Sequence, residues 1–63
     1  MRALSRRERQ VVRLLARGMT NKAIADALGI VVGTVKQHLG SAFDKTGCRD
    51  RVALAIKVAT GKL

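Results

Sequence analysis

The sequence predicts an all-α fold, a compact four-helix domain containing a helix-turn-helix, and three features carry that expectation. Apolar residues recur at helical spacing along the chain, glycines at 18, 29 and 47 divide it into segments, and proline, which would interrupt a helix, is absent. The 63 residues allow one domain, 1–63, with a small core. Phe43 is the only aromatic residue, so that core must come from Leu, Ile, Val and Ala.

The first helix is expected over about Ser5 to Arg17. Ser5 followed three residues later by Glu8 has the form of a capping box, and Gly18 suits a left-handed stop. Leu4, Val11 and Leu15 share its inner face, flanked by Val12 and Leu14. Arg2, Arg6, Arg9, Arg13 and Arg17 line the opposite face, while Glu8 lies toward the core and needs a partner there. A short second helix follows over about Asn21 to Leu28, capped by Thr20 or Asn21, with Ile24 and Leu28 inward. Gly29 turns the chain into a third helix over about Val32 to Lys45. Val32, Val35, Leu39, Ala42, Phe43 and Thr46 occupy one side of it; Gly33, Gln37, Gly40, Ser41 and Asp44 occupy the other. A fourth helix, about Asp50 to Thr60, is expected to bury Val52, Ala55, Ile56 and Ala59 and to leave Leu54 and Val58 as a second, outward pair.

Thirteen Lys and Arg against four Asp and Glu give a formal net charge of +9, which implies an anionic partner: nucleic acid, an acidic membrane surface or an acidic protein. A membrane-surface peptide would need one continuous amphipathic helix, which the glycines break. No stretch is long enough to span a membrane, and the Arg-rich start carries no apolar signal segment, so a cytoplasmic, nucleoid-associated protein is expected. One cysteine, Cys48, and one histidine, His38, offer neither a disulfide nor a metal cage. The few scattered carboxylates provide no paired acid and base, so neither an enzyme nor a cofactor is expected.

The short helix, the turn at Gly29 and Ile30, and the longer helix with a small polar outer face together form a helix-turn-helix over about residues 20–45. In that arrangement the second helix lies in the DNA major groove with its early residues against base edges. A sigma factor's promoter-binding end shares the motif but works through polymerase.

LSRRE (Leu4 to Glu8), RGMTNKAIADALGI (Arg17 to Ile30), TVKQH (Thr34 to His38) and FDKTGCRDR (Phe43 to Arg51) resemble, in this order, the LuxR/FixJ/NarL-type DNA-binding domain. The resemblance covers about residues 4 to 60. It implies a four-helix domain whose third helix reads double-stranded DNA and whose fourth contributes to dimerisation. Such domains usually form the C-terminal output half of a larger regulator, and GTVK, FDK and DRVALA look most like those joined to phosphorylatable receiver domains. A receiver or sensor domain is therefore an expected partner where the chain is part of a larger regulator, and RNA polymerase is a further candidate. Two residues depart from the pattern. Val31 stands where relatives carry a capping Ser or Thr, and Thr46 stands where they carry a large aliphatic residue.

At positions that in this family reach base edges, Lys36 can address guanine and Gln37 adenine, while Gly33 and Gly40 allow close approach of the backbone. Thr20, Asn21, Lys22, Thr34, Ser41 and Lys45 are expected at phosphates, the first four from the N-terminal ends of the second and third helices. The arginine row on the first helix is open between a solvated face, long-range attraction to DNA, and contact with polymerase or a receiver domain. Glu8 and Arg51 are expected to pair across the first and fourth helices. Leu54 and Val58 are expected to make a weak homodimer contact.

Overall fold

Four α-helices, α1 (Arg6–Ala16), α2 (Asn21–Leu28), α3 (Val32–Thr46) and α4 (Arg51–Ala59), make up the computed structural model, which describes residues 3–62. Among the described residues there is no strand, and no helix is long and apolar enough to cross a membrane. Arg2 of the arginine row lies outside the described residues.

Three of the four helices begin on a side chain that satisfies a free backbone amide. Ser5 Oγ accepts from the Glu8 amide at 3.1 Å while Glu8 Oε1 accepts from the Ser5 amide at 2.8 Å, completing the capping box. Thr20, rather than Asn21, caps α2 by accepting from the Ala23 amide at 3.1 Å. Asp50 caps α4 through the Ala53 amide at 2.8 Å. α3 is the exception: Val31 holds the extended cap conformation but offers no side-chain hydrogen bond. The turn from α2 into α3 depends on Gly29, whose φ of 67° is left-handed and would strain a residue bearing a Cβ.

α1 packs against the other three helices. Its Val11, Val12 and Leu15, with Leu4 just before it, meet Ile24 and Ala25 of α2, Val35, Leu39 and Ala42 of α3, and Leu54 of α4. Leu14, Leu28, Val32 and Phe43 close the margins. The inner stripes of α1, α2 and α3 are those the apolar spacing predicts. Thr46 is buried without a polar deficit: its hydroxyl donates to the Ala42 carbonyl at 2.8 Å and accepts from the Cys48 amide at 3.3 Å. Cys48 is a half-buried free thiol against the core.

The fourth helix is turned the other way from the expectation. Leu54 is 0% exposed and Val58 packs against the core, whereas Val52 is 67% and Ile56 57% exposed and Ala59 also faces out. Leu54 is therefore not available as a dimer contact, and Val58 is largely spent on the core. In this phase the exposed Arg51 donates from its guanidinium to the Met19 carbonyl at 2.7 Å and to Asn21 Oδ1 at 2.8 Å. At helical spacing Leu54 and Val58 share the stripe of Arg51, so its bonds and the burial of Leu54 agree.

The expected Glu8–Arg51 pair is replaced by Glu8–Lys45, Nζ to Oε1, at 2.8 Å. α4 runs antiparallel to α1: Arg51 reaches Met19 beyond the end of α1, while Val58 and Gly61 border Arg9, Val12 and Arg13. Arg51 thus begins α4 at the wrong end of α1 to meet Glu8, and the end of α3 supplies the cation instead.

Candidate nucleic-acid interface

The outer face of α3 is set by what its inner face buries. With Val35, Leu39, Ala42 and Thr46 inward, steps of about 100° per residue place Gly33, Lys36, Gln37 and Gly40 within an arc of about 100° on the outside. All four are exposed. Gly33 and Gly40 carry the more telling feature. A Cβ added at either would meet nothing within 4 Å, and neither residue has a positive φ. Neither the packing nor the backbone of the protein requires glycine there, although glycine in a helix costs up to about 1 kcal/mol relative to alanine.

The start of α3 is equally bare. Val31 is 70% exposed, and the helix ladder begins with the Thr34 and Val35 amides donating to the Val31 carbonyl at 3.0 and 3.2 Å. Among the described residues nothing accepts from the amides of Val32 and Gly33. Thr34 sits half-buried beside them. At the start of α2, Lys22 and Thr20 are exposed, though the Thr20 oxygen is already engaged as the cap. Asn21 is half-buried with its Oδ1 held by Arg51, leaving its side-chain N–H groups as donors.

Ser41 and Lys45, expected at phosphates, belong to a different constellation. Lys45 turns toward α1 and forms the ion pair with Glu8, and Ser41, one turn before it, is half-buried. Lys45 holds the Glu8 carboxyl down to a pKa of about 2 from an ordinary 4.5, helped by Ser41 and the Ser5 backbone and opposed by burial. In the free protein the Lys45 ammonium is engaged with Glu8 rather than presented to solvent alone.

Two residues acquire roles the sequence reading did not give them. Asp44 lies on the same face as Gln37, one to two turns later, and is exposed. Its negative charge opposes an anion at that end of the face. Arg51 positions Asn21 and the loop before α2 from the neighbouring helix. The FDKTGCRDR segment contains it, but only the antiparallel course of α4 shows where it reaches. Among the described residues no group of three or more His, Cys, Asp or Glu could hold a metal ion.

Comparison with known proteins agrees with this geometry. Residues 2–58 match the model of the bacterial regulatory proteins, luxR family. The chain is 43% identical over 53 residues to the transcriptional regulatory protein LnrK of Bacillus subtilis, covering 84% of this chain and 24% of that protein. It is 41% identical over 58 residues to the transcriptional regulatory protein UhpA of Escherichia coli, covering 92% and 30%. It is 40% identical over 55 residues to the nitrate/nitrite response regulator protein NarL of Escherichia coli, covering 87% and 26%. The chain thus spans 24–30% of the length of these relatives. Its four helices, its helix-turn-helix and this match identify the chain as a member of the luxR family of bacterial regulatory proteins.

Proposed function

We propose that this chain binds double-stranded DNA sequence-specifically in transcription regulation, with the first half of α3 in the major groove. The observation that carries the reading is the pair Gly33 and Gly40 on an exposed face that also presents Lys36 and Gln37. A helix that forgoes two side chains where its own fold has ample room gains only if another surface comes close. Lys36 then addresses guanine O6 and N7, and Gln37 pairs bidentately with adenine. Lys22, Thr34, Thr20 and the Asn21 amide hold flanking phosphates, together with the free amides at the start of α3.

The relatives are named transcriptional regulatory and response regulator proteins of bacteria, which supports a regulatory role; with it we place the protein in the cytoplasm, on the nucleoid. In that setting a receiver or sensor domain and RNA polymerase are the expected protein partners. The domain itself acts by binding rather than by catalysis. A homodimer through α4 now rests on the exposed Val52, Ile56 and Ala59 rather than on Leu54 and Val58. So small a contact, between chains of charge +9, is weak in solution and gains from proximity on inverted half-sites.

Selection from a random duplex library supplies the operator and the test. Gln37→Ala should relax discrimination at one base pair, by about 1–3 kcal/mol. Lys22→Ala should weaken all sequences alike and lower the salt slope by about one unit. Unchanged discrimination in Gln37→Ala would contradict the assignment of the reading face. For the dimer, Val52→Ser with Ile56→Ser should preserve binding to one half-site and remove cooperativity on two; retained cooperativity would exclude α4.

A further inference from the structure

The outer face of α1 is the most strongly charged surface that the reading helix does not use. Arg6, Arg13 and Arg17 are exposed and Arg9 is half-buried; together with Gln10 they follow helical spacing down one side, over about 16 Å. The only acidic residue of α1, Glu8, faces inward to Lys45. Among the described residues none of these arginines has an ion-pair partner. α1 and α3 pack through their inner faces, so the arginine row and the face of Gly33 and Gln37 look in opposite directions. A duplex lying against α3 leaves the row uncovered.

We infer that this row is a second DNA-binding surface, which takes the phosphate backbone of a separate duplex without regard to sequence and lets one domain bridge two DNA segments. The inference rests on the proposed function only for the occupant of α3. The chemistry of the row favours phosphate over an acidic protein. Protein interfaces are organised around an apolar centre, with charge at the rim. α1 exposes no large apolar side chain; among the described residues those that are exposed are Val31, Val52 and Ile56, on other segments. A face of guanidinium groups and an amide, lacking any apolar centre, matches the polar and positively charged character of surfaces that hold nucleic-acid backbone. All four cations are arginine, whose planar fork binds phosphate oxygens in pairs. Over the length of the row a duplex presents several phosphates, at one per about 1.7 Å of axis.

The test uses the Val52→Ser, Ile56→Ser protein, so that an α4 dimer cannot account for bridging. The protein is loaded on a bead-bound operator and offered a labelled duplex lacking the operator, at near-physiological salt. Capture of the labelled duplex is expected. Adding Arg6→Gln, Arg9→Gln and Arg13→Gln should keep the helical circular dichroism and operator binding and reduce capture at least tenfold. No capture before the arginine changes, or equal capture after them, would overturn the inference. Amide NMR shifts give an independent readout. A short duplex added to the operator-bound domain should move residues 6–17; movement confined to α2 and α3 would overturn it. So would movement of residues 6–17 by a Glu-rich helical peptide and not by the duplex, which would assign the row to a protein. Failure of the library to yield any operator would count against the proposed function, while α1 shifts with arbitrary duplex would still decide this inference.

Discussion

The two halves of α3 share one helix and one buried stripe, and little else. In the C-terminal half the polar side chains turned toward the protein are accounted for. Lys45 meets Glu8, Thr46 bonds Ala42 and Cys48, and Lys57 of α4 donates to the Thr46 carbonyl at 3.4 Å. From Val31 to Gly40 the outer face leaves an uncapped Val31, two free amides, two glycines facing open space and the exposed Lys36 and Gln37 to solvent. Both parts bury the inner stripe, Val35 and Leu39 before Ala42 and Thr46, so the difference lies in polar bonds: the end of α3 is fastened to α1 through Glu8, and the outer face up to Gly40, on which the proposed recognition rests, is not. Changes at the two ends should accordingly separate melting temperature from DNA discrimination.

The largest effect is expected at the fastened end. Lys45→Ala leaves the Glu8 carboxylate without its cation and should cost about 1–3 kcal/mol. At about 4–8 °C per kcal/mol for a domain of this size, thermal melts will resolve the loss easily. Base discrimination should be untouched. The converse change, Gln37→Ala, should move stability by less than about 0.5 kcal/mol, as at other exposed positions. Equal melting of the two variants would erase the division.

Acid should weaken the same end. The Glu8 carboxyl is depressed to about 2 from 4.5, so its stabilising charge is fully present above pH 4.5 and is lost as pH falls from there toward 2. Melts across that window should show the decline, and Glu8→Gln, which can still complete the capping box, should flatten it. A decline of equal size in Glu8→Gln would mean that other carboxylates govern the acid limb.

A smaller gain is expected at the bare end. Val31 already holds the extended conformation of a cap and is exposed, so it contributes little packing. Val31→Ser or Val31→Thr should add about 1 kcal/mol by satisfying an amide of the first turn. No gain in the melt would mean that the first turn is already satisfied by water at no net cost.

Much of this division was legible in the sequence, for local reasons. The capping box at Ser5, the absent cap at Val31 and the small outer face of α3 involve residues within a turn or two of each other. The phase of α4 was not legible from its apolar residues, since Val52 with Ile56 and Leu54 with Val58 are both apolar pairs one turn apart. A sharper clue lay in Arg51. An arginine expected to bond inward is incompatible with Leu54 and Val58 facing outward, because all three lie on one stripe. Glu8 visibly needed a cation, but choosing Lys45 over Arg51 required knowing that α4 runs antiparallel to α1. The Lys45–Glu8 pair was hidden for a related reason: a phosphate role for Lys45 said nothing of the end of α3 meeting α1 at Glu8.

The central claim is that the glycines of α3 serve a partner and not the fold, and Gly40→Ala tests it most directly. Its added Cβ would meet nothing within 4 Å in the free protein. Gly40→Ala should gain about 0.4–1 kcal/mol in stability and bind the selected operator more weakly, the two changes opposite in sign. A variant that melts higher and binds the operator with undiminished affinity would contradict the claim.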